Sequence, residues 1–209
     1  MNKNLIESDK SKGRLEALSD GIFAITMTMM IIDLKIPENS FHNLSPSELN
    51  TSLLALLPSI KSYILSFFIL AIFWMRQQIQ LNFLNKVNLY STIIYIVFLL
   101  LIGFVPFTVN LIKRYPDYHS PFIIYTLNLL LISIILFINS FLASKENNVK
   151  EKDEEKINGN KFILISGITI GIFLAGFIIS FFDVEIAFYV IILDPVFYFF
   201  FRRFGKINI

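Results

Sequence analysis

Long apolar runs recur along the chain and constrain its fold more than any other feature. Hydrophobic residues make up 55% of the 209 residues, and 23 of them are Phe. A soluble domain of this size cannot bury so much apolar surface, whereas a membrane-spanning helix needs about 20 consecutive apolar residues. We therefore predict an all-α membrane protein with six transmembrane helices, at residues 17–36, 59–79, 88–112, 121–143, 162–182 and 184–202.

The segments between these runs organise the chain as one unit. Residues 1–13 are polar, and we expect a leader without regular structure; residues 14–209 then form a single six-helix domain. Residues 144–161 carry five lysines and five acids and predict a cytoplasmic loop between the fourth and fifth spans.

Charge predicts the orientation. If the amino terminus is inside, 14 of the 18 Lys and Arg residues fall on the inner side and 4 on the outer side. The positive-inside rule therefore predicts that both termini are cytoplasmic. The net charge of +2 is too small to indicate a nucleic-acid partner.

The first span is unusually short and polar. Ser19 and Asp20 precede it, and the sequence stays apolar only from Gly21 to Ile32, which is 12 residues. Such a helix is about 18 Å long, against about 30 Å for the hydrocarbon slab. We expect this helix to line a wet passage rather than face lipid.

Two prolines predict a break before the second span. The sequence Ser45-Pro46-Ser47-Glu48 is a capping box with proline at the first helical position, so a helix should begin near Pro46. Pro58 removes a backbone donor and should interrupt that helix.

Motifs for enzymatic chemistry are missing. The sequence has no H-E-x-x-H, no Gly-rich phosphate loop, no nucleophile elbow and no cysteine. Its two histidines, His42 and His119, fall in predicted outer loops. We expect neither an enzyme nor a cofactor.

Charged residues near the membrane are the remaining candidates, because a charge at that depth is costly. Asp194 lies midway along the sixth span and needs a partner. Arg14 and Arg76 lie at inner ends of spans, where they could pair with Asp20 or reach Asp194. The sequence does not choose between a structural ion pair and a role in ion handling.

Small residues in the fifth span predict close helix packing. Gly167 and Gly171 form a GxxxG pattern, and Ala175 and Gly176 follow one turn later. Small residues at this spacing let helix backbones approach closely. We favour packing within the chain over a contact between subunits.

A channel formed by this chain would need a filter made of side chains, because the sequence contains no TVGYG segment. Two stripes of the first helix are candidates for facing a pore. The first comprises Ile25, Thr28, Met29 and Ile32, and the second comprises Ser19, Thr26 and Asp33. Hydrophilicity alone favours the second stripe.

The start of the first helix resembles a known family. Arg14, Leu18, Ser19 and Asp20 are similar to the R-x-x-x-F-S-D signature of the transmembrane protein 175 family of endolysosomal and prokaryotic potassium channels. The resemblance extends from about residue 14 to residue 201. Further matches are Tyr63-x-x-Ser66-Phe67, Trp74, Pro106-Phe107-Thr108 and Tyr125-x-Leu127-Asn128. The chain departs from the family at Leu18, where the signature has Phe, and at Gln77-Gln78, where a histidine pair often stands.

The resemblance implies a homotetramer in the cell membrane with the first helix around a central pore. It implies a hydrophobic gate at Ile25 and a layer of Thr28 hydroxyls that favours K⁺, with Met29 and Ile32 continuing the face. It also implies that Arg14, Ser19 and Asp20 anchor the inner end of the helix, and that Ser19, Thr26 and Asp33 bond to neighbouring helices.

The expected function is passive conduction of K⁺, the permeant ion, through this pore. The alternative is a secondary transporter or proton-coupled exchanger that uses Asp20, Arg76 and Asp194 as a relay. A membrane scaffold without transport is a third reading. The partners expected for a channel are other copies of the chain, monovalent cations and the lipid bilayer.

Overall fold

The computed structural model describes the backbone of residues 3–32, 46–83, 89–145 and 153–204, and the chain is helical over almost all of these ranges. The prediction of an all-α protein is confirmed. The seven helices of the described ranges, of which six are long, are α1 (Lys3–Ile32), α2 (Pro46–Ala55), α3 (Leu57–Phe83), α4 (Leu89–Arg114), α5 (His119–Lys145), α6 (Asp153–Ile179) and α7 (Val184–Phe204).

The lengths and hydropathies of these helices are those of a multi-pass membrane protein. Four candidate spans occur in the described ranges, namely Ser11–Ile32, Ser47–Leu81, Leu89–Arg114 and His119–Leu142. The predicted fifth span lies on α6, whose apolar part Leu164–Ile179 is shorter, and the sixth lies on the 21-residue α7. Each of the six predicted spans thus has most of its described residues on one long helix.

The predictions about the start of the chain were wrong in two respects. Helix α1 begins at Lys3, so the expected irregular leader is helical from there on. The first candidate span, Ser11–Ile32, has 22 residues and is therefore about 33 Å long, which is not short. The polar residues continue the helix, and Lys12 and Glu16 pair across one turn at 4.0 Å.

The predicted charged loop at residues 144–161 was also too long. Helix α5 continues to Lys145, and α6 begins at Asp153, within the segment expected to be a loop. His119 is the first residue of α5, while His42 lies outside the described residues.

The prolines act as predicted. Helix α2 begins at Pro46, and the break before the second span is at Leu56, between α2 and α3. Pro58 is the second residue of α3, where its missing N–H is not needed by the helix. Ser62 Oγ donates to the Pro58 carbonyl at 3.1 Å on the first turn that follows.

The apolar core joins α1 to the rest of the bundle. Helix α5 packs against α4 and α6, and α1 packs against α4 and α3. Leu15, Phe23 and Met30 of α1 are buried, and the ring of Phe23 packs at a tilt against Phe98 of α4 with ring centroids 6.1 Å apart. One side of α1 is therefore packed against other helices of the same chain.

The prediction that the small residues of the fifth span pack within the chain is confirmed at Gly176 but was wrong for Gly167 and Gly171. Both are exposed, and a Cβ atom added at either would meet nothing within 4 Å. The close approach in α6 occurs at Gly176, where an added Cβ would lie 3.1 Å from Cγ1 of Ile191 in α7. Gly176 lies on the face of α6 that α7 covers.

Candidate functional site

Helix α1 presents one continuous exposed stripe in the protomer. Ile25, Met29 and Ile32 are 60%, 51% and 70% exposed, and Thr28 is also exposed. Residues at i, i+3, i+4 and i+7 share one face of a helix. The stripe that the resemblance assigns to a pore is thus the one that α1 does not pack against the rest of its own chain.

The alternative stripe of α1 faces the protein interior. Ser19 is completely buried and Thr26 is 3% exposed, while Asp33 lies outside the described residues. The hydroxyl of Ser19 donates a hydrogen bond to Oε1 of Gln77 in α3. Hydrophilicity therefore did not predict which stripe is exposed, because a polar side chain on an apolar helix can be satisfied by a polar neighbour instead of water.

The hydroxyl of Thr28 is turned towards its own helix. Its Oγ1 lies 2.8 Å from the Ala24 carbonyl and 2.9 Å from the Ile25 carbonyl, and it donates to them. A threonine hydroxyl has one proton and two lone pairs. Donation to the backbone uses the proton, so the lone pairs stay available to a cation.

Asp20 anchors α1 to α3 through two donors. Its Oδ1 accepts hydrogen bonds from Nε1 of Trp74 and Nε2 of Gln78, each at 2.7 Å. With the bond from Ser19 to Gln77, three contacts join consecutive residues of α1 to a single stretch of α3. Arg14, the first residue of the signature, is exposed.

Gln77 and Gln78, which stand where the family often has a histidine pair, therefore both form hydrogen bonds to α1. Gln77 accepts from Ser19, and Gln78 donates to Asp20. Neither amide gains or loses a proton in the physiological pH range.

Asp194 has the partner that its position demanded. Nη2 of Arg76 lies 3.1 Å from Oδ1 of Asp194, and both side chains are completely buried. Thr169 Oγ1 of α6 donates to the same oxygen at 2.9 Å. The guanidinium carbon of Arg76 lies 5.1 Å from the ring centroid of Tyr198, within the range of a cation–π contact.

This arrangement separates Asp20 from the other two residues of the relay expected for an exchanger. Arg76 and Asp194 contact each other, whereas Asp20 is bonded to Trp74 and Gln78. The sequence identified Arg76 and Asp194 as candidates but missed Thr169 and Tyr198. Thr169 lies beside the GxxxG glycines of α6, and only the packing of α6 on α7 brings it to Asp194.

Two motifs quoted for the resemblance also meet in the fold. Ser66 of α3 and the hydroxyl of Tyr125 in α5 are hydrogen-bonded at 3.0 Å, and both are buried. Asn128, one turn further along α5, donates to the Leu101 carbonyl of α4 at 3.1 Å. These motif residues connect the helices behind α1.

The end of α1 also has a cationic neighbour that the sequence did not suggest. Nζ of Lys113, in the last turn of α4, lies 3.4 Å from the Met30 carbonyl. A cation near the carboxyl end of a helix is favourable because the last carbonyls lack partners within the helix. Within the described ranges, no group of three or more His, Asp or Glu side chains is placed to hold a metal ion.

Comparisons with known proteins agree with the signature. The sequence profile of the family described as endosomal/lysosomal potassium channel TMEM175 matches residues 14–106. A protein from Streptomyces collinus named a potassium channel is 30% identical over 103 residues, which are 49% of this chain and 48% of that protein. Another so named, from a Chryseobacterium species, is 40% identical over 78 residues, or 37% of this chain and 36% of that protein. The chain thus matches about half the length of these relatives or less.

The fold itself has been solved before. A crystal structure described as a lysosomal potassium-selective channel TMEM175 homologue from Chamaesiphon minutus superimposes with a TM-score of 0.80. The superposition covers 91% of this chain and 97% of that chain, at 23% sequence identity. The similarity in sequence covers the first half of the chain and the similarity in fold nearly all of it, and together they confirm the resemblance to the transmembrane protein 175 family of potassium channels that the first helix indicated.

Proposed function

We propose that the chain is one subunit of a potassium-permeable cation channel in the cell membrane, in which four copies surround a central pore with their α1 helices. The observation that carries the proposal is the exposed stripe of Ile25, Thr28, Met29 and Ile32. The hydrogen-bonding residues of α1, Ser19 and Asp20, are already bonded to α3, so the stripe is the face left for other subunits and the permeating ion.

Ile25 forms the gate in this proposal. Four branched side chains around one axis make a narrow apolar ring, and water leaves such a constriction when it is narrow enough. A cation cannot cross this dry ring, because it would have to lose its hydration shell without gaining other ligands. Rotation or tilt of α1 widens the ring, readmits water and permits conduction.

Thr28 forms the selective layer, one turn beyond the gate. Its proton is donated to the carbonyls of Ala24 and Ile25, which directs the oxygen lone pairs away from the helix backbone. Four such oxygens replace part of the hydration shell of K⁺. Selectivity over Na⁺ is modest, because a single layer of hydroxyls offers fewer ligands than stacked backbone carbonyls.

The position in the membrane follows from the charge distribution. Fourteen of 18 basic residues lie on the side of the two termini, and by the positive-inside rule this supports cytoplasmic termini. The entrance near Asp20 is then cytoplasmic, and Lys113 lies near the outer end of α1.

The test is reconstitution of the purified protein into liposomes, with current measured across the bilayer. We expect single-channel currents that favour K⁺ over Na⁺, and particles with fourfold symmetry in electron micrographs. Saturable, counterion-dependent flux without unitary currents would show an exchanger instead. Monomeric particles that carry no flux would overturn the channel.

A further inference from the structure

The buried pair of Arg76 and Asp194 lies away from the exposed stripe of α1. Both side chains are completely buried at a depth where charge is costly, and Thr169 and Tyr198 provide further contacts. A buried ion pair is weak evidence for stability, because apolar residues of similar volume often stabilise as well. Stabilisation therefore does not explain the pair, whereas its contacts fix the position of the helices that carry it.

The pair is one residue away from the anchors of α1. Arg76 reaches α7, the next residue Gln77 accepts from Ser19 of α1, and Gln78 donates to Asp20. Trp74, two residues before Arg76, donates to the same carboxylate of Asp20. Successive helical residues point about 100° apart. This one stretch of α3 therefore holds α7 on one side and α1 on another.

A rigid helix transmits rotation. If Arg76 holds α3 in one rotational setting against Asp194, the side chains of Gln77 and Gln78 are held in the matching setting towards α1. Loss of the ion pair lets α3 turn, and the hydrogen bonds to Ser19 and Asp20 move with it. Ile25 lies less than two turns along α1 from these anchors.

We propose that Arg76 and Asp194, with Thr169, are positioning residues that set the orientation of α1 through α3 and thereby hold the Ile25 ring closed. The inference rests on the proposed function, since the orientation of α1 governs conduction only if α1 lines the pore. The pair itself contacts no permeating ion.

The chain offers a spectroscopic reporter of this contact that does not depend on conduction. Trp74 is the only tryptophan among the 209 residues, and its indole bonds to Asp20. Its emission therefore reports the contact between α3 and α1. Asp20→Asn calibrates the signal, because it weakens that bond directly.

The experiment compares Asp194→Asn with Glu185→Gln, a matched acid-to-amide change at an exposed site of the same helix. We expect Asp194→Asn to shift the Trp74 emission in the direction of Asp20→Asn, and Glu185→Gln to leave it unchanged. In the double variant Asp20→Asn with Asp194→Asn the shifts should not add, because both act on one contact. Additive shifts, or a spectrum identical to that of the wild type, would overturn the inference whether or not the protein conducts.

Conduction provides the second measurement. We expect Asp194→Asn to raise basal K⁺ flux in liposomes by at least about twofold, with the K⁺/Na⁺ ratio unchanged. Arg76→Lys keeps the positive charge opposite Asp194, so its basal flux should stay close to that of the wild type. A wild-type protein without flux would reject the proposed function alone, whereas wild-type flux unaltered in Asp194→Asn would reject the positioning role alone.

A variant that fails to fold is covered by a second design. Asp194→Asn leaves Arg76 buried without its counterion, and the double replacement Arg76→Met with Asp194→Leu removes both charges together. We expect this double variant to unfold at nearly the wild-type temperature and still to shift the Trp74 emission and raise the flux. Wild-type emission and flux in a folded double variant would show that the pair does not position α1.

Discussion

Nε1 of Trp74 donates a hydrogen bond of 2.7 Å to Oδ1 of Asp20, and this contact joins the middle of α3 to the start of the apolar part of α1. Gln78, one turn further along α3, donates to the same oxygen at 2.7 Å. One carboxylate thus accepts two donors from a neighbouring helix. A bond to a charged acceptor is stronger than a neutral one, so Asp20 resists rotation of α1 at this level.

Replacement of Trp74 by Phe should weaken this anchor without leaving a large void. Phe keeps an aromatic ring but lacks the N–H donor, and Gln78 remains as the second donor. We expect a loss of about 1 kcal/mol in the free energy of unfolding, measured by thermal or chemical unfolding in detergent. Tyr189→Phe, at an exposed site of α7, is the control. Unfolding of Trp74→Phe identical to that of the control would contradict the anchoring role.

Replacement of Ile25 by Asn should open the gate. A polar ring holds water, so the closed state no longer excludes ions. We expect basal K⁺ flux in liposomes to rise at least about tenfold, which corresponds to about 1.4 kcal/mol. Ile31→Asn is the matched control, because Ile31 is also exposed on α1 but lies off the stripe. Equal flux in the two variants would remove Ile25 from the gate.

Replacement of Thr28 by Val should reduce selectivity while keeping the shape of the side chain. Val lacks the oxygen that the proposal assigns to K⁺. We expect the K⁺/Na⁺ permeability ratio, measured from reversal potentials, to fall by at least about twofold. Thr26→Val removes a hydroxyl from the buried face of the same helix and should not change the ratio. A reversal potential unaltered in Thr28→Val would mean that another layer selects.

Replacement of Gly176 by Leu should destabilise the subunit, and replacement of Gly171 by Leu should not. A side chain at Gly176 meets Ile191, while the site at Gly171 is open within the protomer. Overpacking of a tight contact costs about 1–3 kcal/mol, which thermal unfolding in detergent would detect. Size-exclusion chromatography of Gly171→Leu tests the outer face separately. A smaller particle would show that this face contacts another subunit, and equal stability of the two variants would contradict the packing described for α6 and α7.

Local sequence features predicted most of the helices. Apolar runs longer than a membrane is thick require helices, because the backbone must satisfy its hydrogen bonds internally. The start of a helix at Pro46 and the break near Pro58 were likewise predicted from local patterns and are confirmed. The length of α1 was misjudged because the prediction relied on local hydropathy, which located the other helices correctly. Its first turns are polar, and hydropathy does not distinguish a polar helix from a polar leader.

The face of α1 that is left free could not be read from residue types. Ser19 is as polar as Thr28, yet it is buried because Gln77 of α3 lies opposite, 58 residues away in sequence. The glycines of α6 show the same limit. Three glycines at similar spacing permit close packing, but only the position of α7 decided that Gly176 makes it.

The sequence by itself determined the class of protein, the places where helices run and the residues that carry charge into the membrane, since these depend on composition and on contacts within a few residues. Tertiary structure decided that Arg76 pairs with Asp194, that Asp20 is bound by Trp74 and Gln78, and that the stripe containing Ile25 and Thr28 stays exposed. These outcomes depend on the rotation of each helix about its axis. That rotation is set by the fit of distant side chains, which no local pattern encodes.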